Sequence, residues 1–279
     1  MKNAVKSFTY LTLAFLMLHA LSALFSGAVA AVIKILAVAL PVGVGYAASH
    51  RLKTEREEIS GLAEKNSELY KIKPAHLGAT ALLAAPVIAL IFLISYLTSL
   101  LLSALGLNAS AVENEPLLKM LAEHAFIPAI LEEMMFRYLP MKLLAPYSKK
   151  WCAIISALYF SLIHMNLFQL PYALAAGLIF IVIDLATESV LPSLILHFLN
   201  NAVSVLFIKY SPDPDFVLPF VIVMVALALI SLIPIVIKRK GYLSAIGSTL
   251  GGRDRLEERT SVMIFVFFLA AMMAANLFA

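Results

Sequence analysis

The sequence predicts an all-α, polytopic transmembrane helical bundle of about eight to nine spans. Two observations predict it. The chain is 62% hydrophobic and 14% charged over 279 residues, whereas soluble domains are about 45–50% apolar and about 25% charged. In addition, apolar runs of roughly 20 residues recur from end to end, each long enough to cross a hydrocarbon core. A lone cysteine, Cys152, cannot form an intrachain disulfide, so cysteine usage says nothing of redox compartment. The net charge of +4 is carried by basic segments between spans, a pattern that signals orientation and not nucleic-acid binding. No internal repeat is visible, which disfavours transporters built from duplicated halves.

In chain order, Lys2 and Lys6 precede the first run, about Phe8 to Ala30. Its ending, Ala28-Val29-Ala30, resembles a signal-peptidase site, but the run is long for a signal core and is read as an uncleaved helix. A second run covers Ala31 to Ser49. Residues 50–75 are polar, with Glu57, Gly61, Glu64, Lys65 and Glu68 at helical spacing, and read as a solvated helix or loop. The third run, Ala75 to Gly106, contains Pro86. The stretch from Leu107 to Pro116 is acidic, lacks lysine and arginine, and carries the sequon Asn108-Ala109-Ser110.

The fourth span is expected over Leu117 to Pro140. The fifth begins near Trp151 and includes Phe160 and His164. The sixth covers Tyr172 to Thr187, the seventh Val190 to Ile208, the eighth Phe216 to Ile237, and the ninth Ser261 onward. Basic segments at the N-terminus, 50–73, 142–150 and 238–259 alternate with acidic or neutral ones at 107–116 and 211–215. Positive-inside then places the N-terminus in the cytoplasm and the C-terminus outside the cell membrane. Three parts are expected: residues 1–116, a catalytic core over 117–208, and residues 209–279.

The fourth span holds Glu132-Glu133-Met134-Met135-Phe136-Arg137, three charges within an apolar run. Charge at membrane depth costs several kcal/mol and marks a functional site by default. Glu133 and Arg137 are four apart, so they share a helix face in the better order for an ion pair. Glu132 points about 100° away and is left for chemistry. One buried salt network of all three is the alternative. His197 and Asn201 repeat the four-residue spacing on the seventh span, as Phe160 and His164 do on the fifth. Singly, each histidine suits a hydrogen-bonded core position. Counting about 1.5 Å per residue from the cytoplasmic helix ends, Glu132 lies roughly 12 Å deep, His197 about 10 Å, Asn201 about 16 Å and His164 about 20 Å. The depths permit one cluster in the cytoplasmic half.

Such a set suits amide hydrolysis. A carboxylate takes a proton from water, an imidazole orients that water, and a His/Asn donor pair holds the tetrahedral oxyanion. Glu132, His164 and His197 could instead hold a divalent metal such as zinc, although no His-Glu-x-x-His helix is present. No serine stands in a nucleophile-elbow context, and Cys152 has no activating base beside it.

Glu132-Glu133-x-x-x-Arg137, Phe160-x-x-x-His164 and His197-x-x-x-Asn201, in this order, resemble the motifs of the CPBP intramembrane proteases, the CAAX prenyl endopeptidase and bacteriocin-processing (Abi) family. The likeness covers roughly residues 117–208. It implies a helical bundle with a cavity open to the cytoplasm and the membrane. It also implies that Glu132 and His164 activate water, that His197 and Asn201 form the oxyanion hole, and that Glu133, Arg137 and Phe160 support them. Lipid and a membrane-associated peptide or protein are the implied partners, with no nucleic acid. Tyr138 and Glu188 depart from the family pattern, which more often has a small residue, commonly Gly, at both places. Asp184 and Glu188 are four apart and read as a wet helix end. A non-proteolytic partner, such as an immunity factor or sensor scaffold, is the alternative function, and a proton-relaying transporter a third.

Overall fold

The computed structural model describes residues 1–60, 73–107, 115–237, 239–251, 256 and 258–277. Gly61, Glu64, Lys65, Glu68, the sequon at Asn108–Ser110, Arg253 and Arg255 lie outside them. The described residues are helical and contain no strand. In order they form α1 (Lys2–Ser22), α2 (Gly27–Ser60), α3 (Pro74–Ala104), a compound helix α4 beginning at Leu117 and ending at Leu143, α5 (Lys149–Leu162), α6 (Leu170–Thr187), α7 (Leu191–Tyr210), α8 (Pro214–Ile237), α9 (Arg239–Leu250) and α10 (Arg259–Leu277).

Six of these, α1, α2, α3, α6, α7 and α8, are long and apolar enough to cross a membrane by length and composition. The chain is therefore a multi-pass membrane protein with an all-α bundle. Two of the other expected spans are helices of a different kind. α5 has 14 residues, about 21 Å at 1.5 Å per residue and short of a hydrocarbon core of about 30 Å. α4 is interrupted twice.

Those interruptions are π segments. α4 runs as α Leu117–Leu121, π Ala122–Phe126, α Ile127–Glu133, π Met134–Tyr138 and α Leu139–Leu143. Each π segment is followed two residues later by a proline, Pro128 or Pro140. Proline has no N–H to donate and its ring collides with the carbonyl four residues back. A wider turn moves that carbonyl aside, and single π turns cluster at functional sites. Glu132 and Glu133 end the α segment held between the two.

Three boundaries differ from the sequence expectation. The break between the first two spans falls at residues 23–26, not 30/31, because Gly27 takes φ +58°, which glycine adopts without strain. α2 continues to Ser60, so the start of the polar segment is a helical extension of that span. The basic segment after α8 contains helix α9 and is not a simple loop.

Two apolar clusters make up the core. The larger joins Phe8, Met135, Phe136, Leu139, Tyr159, Phe160 and Phe265 across α1, α4, α5 and α10. Tyr159 stacks on Phe8, with centroids 5.4 Å apart, and its hydroxyl meets Thr9 at 2.8 Å. The smaller, Val87, Ile91, Ala176, Phe180 and Leu196, joins α3, α6 and α7. α8 is peripheral. Leu218, Ile222, Leu229 and Ile233 on it are exposed, the expected state for side chains that face lipid tails. A cavity of 270 Å³ between α1 and α10, lined by Thr9, Leu13, Ile264, Phe265 and Phe268 among others, contains no carboxylate or imidazole.

α5 and α6 are in close contact at Gly177, where an added Cβ would stand 3.1 Å from Ala157 Cα and 3.2 Å from Phe160 Cδ1. Gly177→Leu must therefore push α6 away from Phe160. It is expected to cost about 1–3 kcal/mol and lower the thermal unfolding midpoint in detergent. Gly43→Leu, at a position with open space around it, leaves the midpoint in place.

Candidate active site

Arg137 is the largest fully buried side chain. It lies at the seam of the two apolar clusters, with its guanidinium 4.5 Å from the Phe160 ring centroid and 5.8 Å from that of Phe180. Its Nε is 3.2 Å from Glu133 Oε2, and Nη1 donates to the Phe136 carbonyl at 3.1 Å. That carbonyl has no donor four residues on, because residue 140 is proline. Ser156 of α5 also donates to it. Thus the second π segment exposes a carbonyl that fastens α5 to α4 and helps hold the arginine.

Glu133 is also buried, and its other oxygen, Oε1, lies 2.7 Å from His197 Nδ1. An ionised carboxylate only accepts, so the His197 Nδ1 carries the proton and donates it. This turns His197 Nε2 toward Glu132, whose Oε2 is 3.8 Å away. The His164 Nδ1 faces the Phe160 carbonyl at 2.8 Å, which again assigns the Nδ1 proton. Its Nε2 is 4.0 Å from the same Glu132 oxygen. Two imidazoles from separate elements thus aim the same ring nitrogen at one carboxylate oxygen. The Phe160 ring stacks edge-on against both, at 5.1 Å from His164 and 5.7 Å from His197.

Exposure divides the two glutamates. The Glu132 side chain is 22% exposed and that of Glu133 only 2%. Glu132 Oε2 itself is shielded and makes no direct hydrogen bond. The gaps of 3.8 and 4.0 Å are too long for direct hydrogen bonds. A water held at roughly 2.8 Å from each of two polar atoms bridges such gaps. Ligands held at about 2.1 Å around a tetrahedral zinc stand roughly 3.4 Å apart, closer than these pairs. Among the described residues no group of three His, Cys, Asp or Glu is arranged to hold a metal ion.

The site residues expected from sequence fall into two groups. Glu132, Glu133, Arg137, Phe160, His164 and His197 come together. Asn201 lies one turn beyond His197 on α7, and its Oδ1 accepts from Asn200 Nδ2 at 3.2 Å instead of meeting the Glu132 cluster directly. His164 is not on the fifth span: α5 ends at Leu162, and His164 lies in the following turn, beside Met165 at φ +46°. Asp184 corrects another expectation. It is fully buried, not wet, while Glu188 is exposed and closes α6 in the left-handed region at φ +53°. That backbone is the physical reason a glycine suits the Glu188 position. Unforeseen contributors are Ser156, Phe180 and Asp184, together with Tyr172 and His19, which stand within electrostatic range of Glu132. The proline four residues after Phe136 was the available signal for Ser156.

Residues 114–203 match the model of the type II CAAX prenyl endopeptidase Rce1-like family. This segment, about a third of the chain, is similar to that family. No curated protein and no solved structure matched the chain. The matched segment takes in Glu132, Glu133, Arg137, Phe160, His164, His197 and Asn201. At family level the match is to a CAAX-protease-like membrane endopeptidase, consistent with a CPBP intramembrane protease.

Removing one partner of the buried pair leaves an uncompensated charge. Arg137→Ala and Glu133→Ala are each expected to cost about 3–5 kcal/mol, read as lost folded protein and a lowered unfolding midpoint. Glu132→Gln, at a partly exposed position with no direct hydrogen bond at Oε2, should unfold within a few degrees of the wild type.

Proposed function

We propose that the chain is an intramembrane endopeptidase that hydrolyses a peptide bond of a membrane-associated protein or peptide. The observation that carries this reading is the convergence of His164 Nε2 and His197 Nε2 on one shielded oxygen of Glu132, with Glu132 otherwise open to one side. Glu132 acts as general base toward a water that His164 orients. The hydroxide adds to the scissile carbonyl carbon, and the carbonyl oxygen takes the negative charge. His197 and Asn201 donate to that oxyanion. The carbon–nitrogen bond then breaks, and the leaving amine takes the proton that Glu132 had accepted.

Glu133 and Arg137 do not touch the reacting atoms. Glu133 holds the tautomer and tilt of His197, and Arg137 balances the charge of Glu133. The match to a prenyl endopeptidase family supports a substrate with an apolar or lipid-modified end, because such a segment reaches a site within a bundle from the bilayer. Should a divalent metal take part, Glu132, His164 and His197 are the residues to hold it, after a contraction of the present spacing.

The test compares membranes containing the wild type with membranes containing Glu132→Ala at matched abundance, by proteomics of newly formed peptide termini. Termini that require Glu132, with turnover reduced about 10²–10⁴-fold in the variant, are expected for a lost general base. An identical set of termini in both would reject the reading in favour of a non-proteolytic partner. Chelator treatment of the active preparation leaves cleavage intact if Glu132 alone activates the water.

We also infer that the N-terminus and the 142–150 segment face the cytoplasm of the cell membrane, since basic residues concentrate there; this requires that α4, and α5 with its flanking turns, cross in addition to the six longer apolar helices. Cysteines placed at 145 and 212 should react with an impermeant maleimide from opposite sides of sealed vesicles. Labelling of both from one side would contradict the topology.

A further inference from the structure

The first turn of α7 has a complete account of its backbone donors except for one borrowed partner. Leu191 N–H donates to Ser189 Oγ at 3.2 Å, Pro192 has no N–H, and Leu194 N–H donates to the Val190 carbonyl at 3.1 Å. The remaining one, Ser193 N–H, donates at 3.0 Å to Oδ1 of Asp184, which belongs to α6. A carboxylate is well placed at the positive end of a helix. Yet Asp184 is 0% exposed, and burying a charge without compensation is far more costly than a cap is favourable. Asp184 lies in the opposing fields of Glu133 and Arg137, so what holds it is its contact with Ser193. The Ser193 hydroxyl, which donates to the Val190 carbonyl at 3.0 Å, also lies beside the carboxyls of Glu133 and Asp184.

Ser193 and His197 are four apart and so share one face of α7. A bond that fixes Ser193 fixes the start of the rail on which the imidazole stands. Only about one helical turn separates this latch from the His197–Glu133 contact. A small rotation of α7 there would swing His197 Nε2 away from Glu132.

We propose that Asp184 is a positioning residue. By accepting the Ser193 N–H it latches α6 to the first turn of α7 and holds His197 against Glu133 with Nε2 aimed at Glu132. The proposal rests on reading the Glu132 cluster as a hydrolytic centre, so its test needs a readout that does not depend on turnover.

Wild type, Asp184→Leu and Asp184→Asn are reconstituted in lipid nanodiscs with isotopically labelled histidine. The His197 ring-nitrogen resonance is assigned by its loss in His197→Gln. Cleavage is followed on the peptide that the terminus analysis identifies. Asp184→Leu removes the acceptor and is expected to lower kcat about tenfold with KM little changed, the mark of an effect on the transition state alone. It should also move the His197 Nδ1 resonance toward its unbonded position. Asp184→Asn keeps an oxygen acceptor and is expected to restore both. An Asp184→Leu protein with the wild-type resonance and kcat overturns the proposal, as does an Asn variant as impaired as the Leu one. If Asp184→Leu does not accumulate, Asp184→Ala removes the same acceptor with a smaller side chain, and the same outcomes apply. A wild type that cleaves nothing would reject the hydrolytic reading, while the His197 resonance would still decide the role of Asp184.

Discussion

The buried contact between Glu133 and Arg137 is the constraint on which the rest of the structure depends. Neither charge can remain in an apolar interior without the other. Each then needs further partners for the atoms that the pair leaves over. Arg137 takes the faces of Phe160 and Phe180 and the Phe136 carbonyl. Glu133 accepts a hydrogen bond from His197 Nδ1–H. These partners lie on α4, α5, α6 and α7, so satisfying one ion pair fixes the relative placement of four helices. The aromatic walls come one from each apolar cluster, and the pair is thus the joint between them.

Adjacent glutamates acquire unlike environments from helix geometry alone. A step of about 100° sends the Glu133 carboxylate into the seam and the Glu132 carboxylate toward the two imidazoles. The buried one is held by an arginine and an imidazole and is not free to exchange protons with a substrate. The partly exposed one has a shielded oxygen without a direct hydrogen bond, near two ring nitrogens. Prolines on either side of this segment force the wider turns that bracket it. These turns release carbonyls for side chains of neighbouring helices, as Ser156 shows at Phe136.

Much of this was legible in the sequence because it depends on one regular geometry. The all-α bundle followed from the long apolar runs. Glu133 with Arg137 and Phe160 with His164 followed from the four-residue repeat, which holds for the latter even though His164 lies just past its helix, since one more helical turn at the C-terminus still aims its ring at the Phe160 carbonyl. The less legible features depend on partners distant in sequence. Asp184 and Glu188 are both acidic and sit at one helix end, so spacing gives them the same wet environment. Packing against the first turn of α7 buries one, while the left-handed closing residue turns the other out. The π segments were hidden for a different reason. Pro140 reads equally well as the end of a span and as the cause of a wider turn within a longer helix. Only the presence of Ser156 to take the Phe136 carbonyl decides between them.

The tautomers carry the last step. With Nδ1 donated to Glu133, a neutral His197 presents a lone pair at Nε2, and a lone pair repels an oxyanion. His197 can serve in an oxyanion hole only as the imidazolium, with protons on both nitrogens. Glu133 lies at 2.7 Å on one side of it and Glu132 at 3.8 Å on the other. His164 differs, because its Nδ1 partner is a neutral carbonyl. A neutral His164 keeps a lone pair at Nε2 that can accept a hydrogen bond from water, the role an orienting group needs. In the proposed reaction the two histidines take opposite roles, and what separates them is whether the far nitrogen faces a carboxylate or a carbonyl.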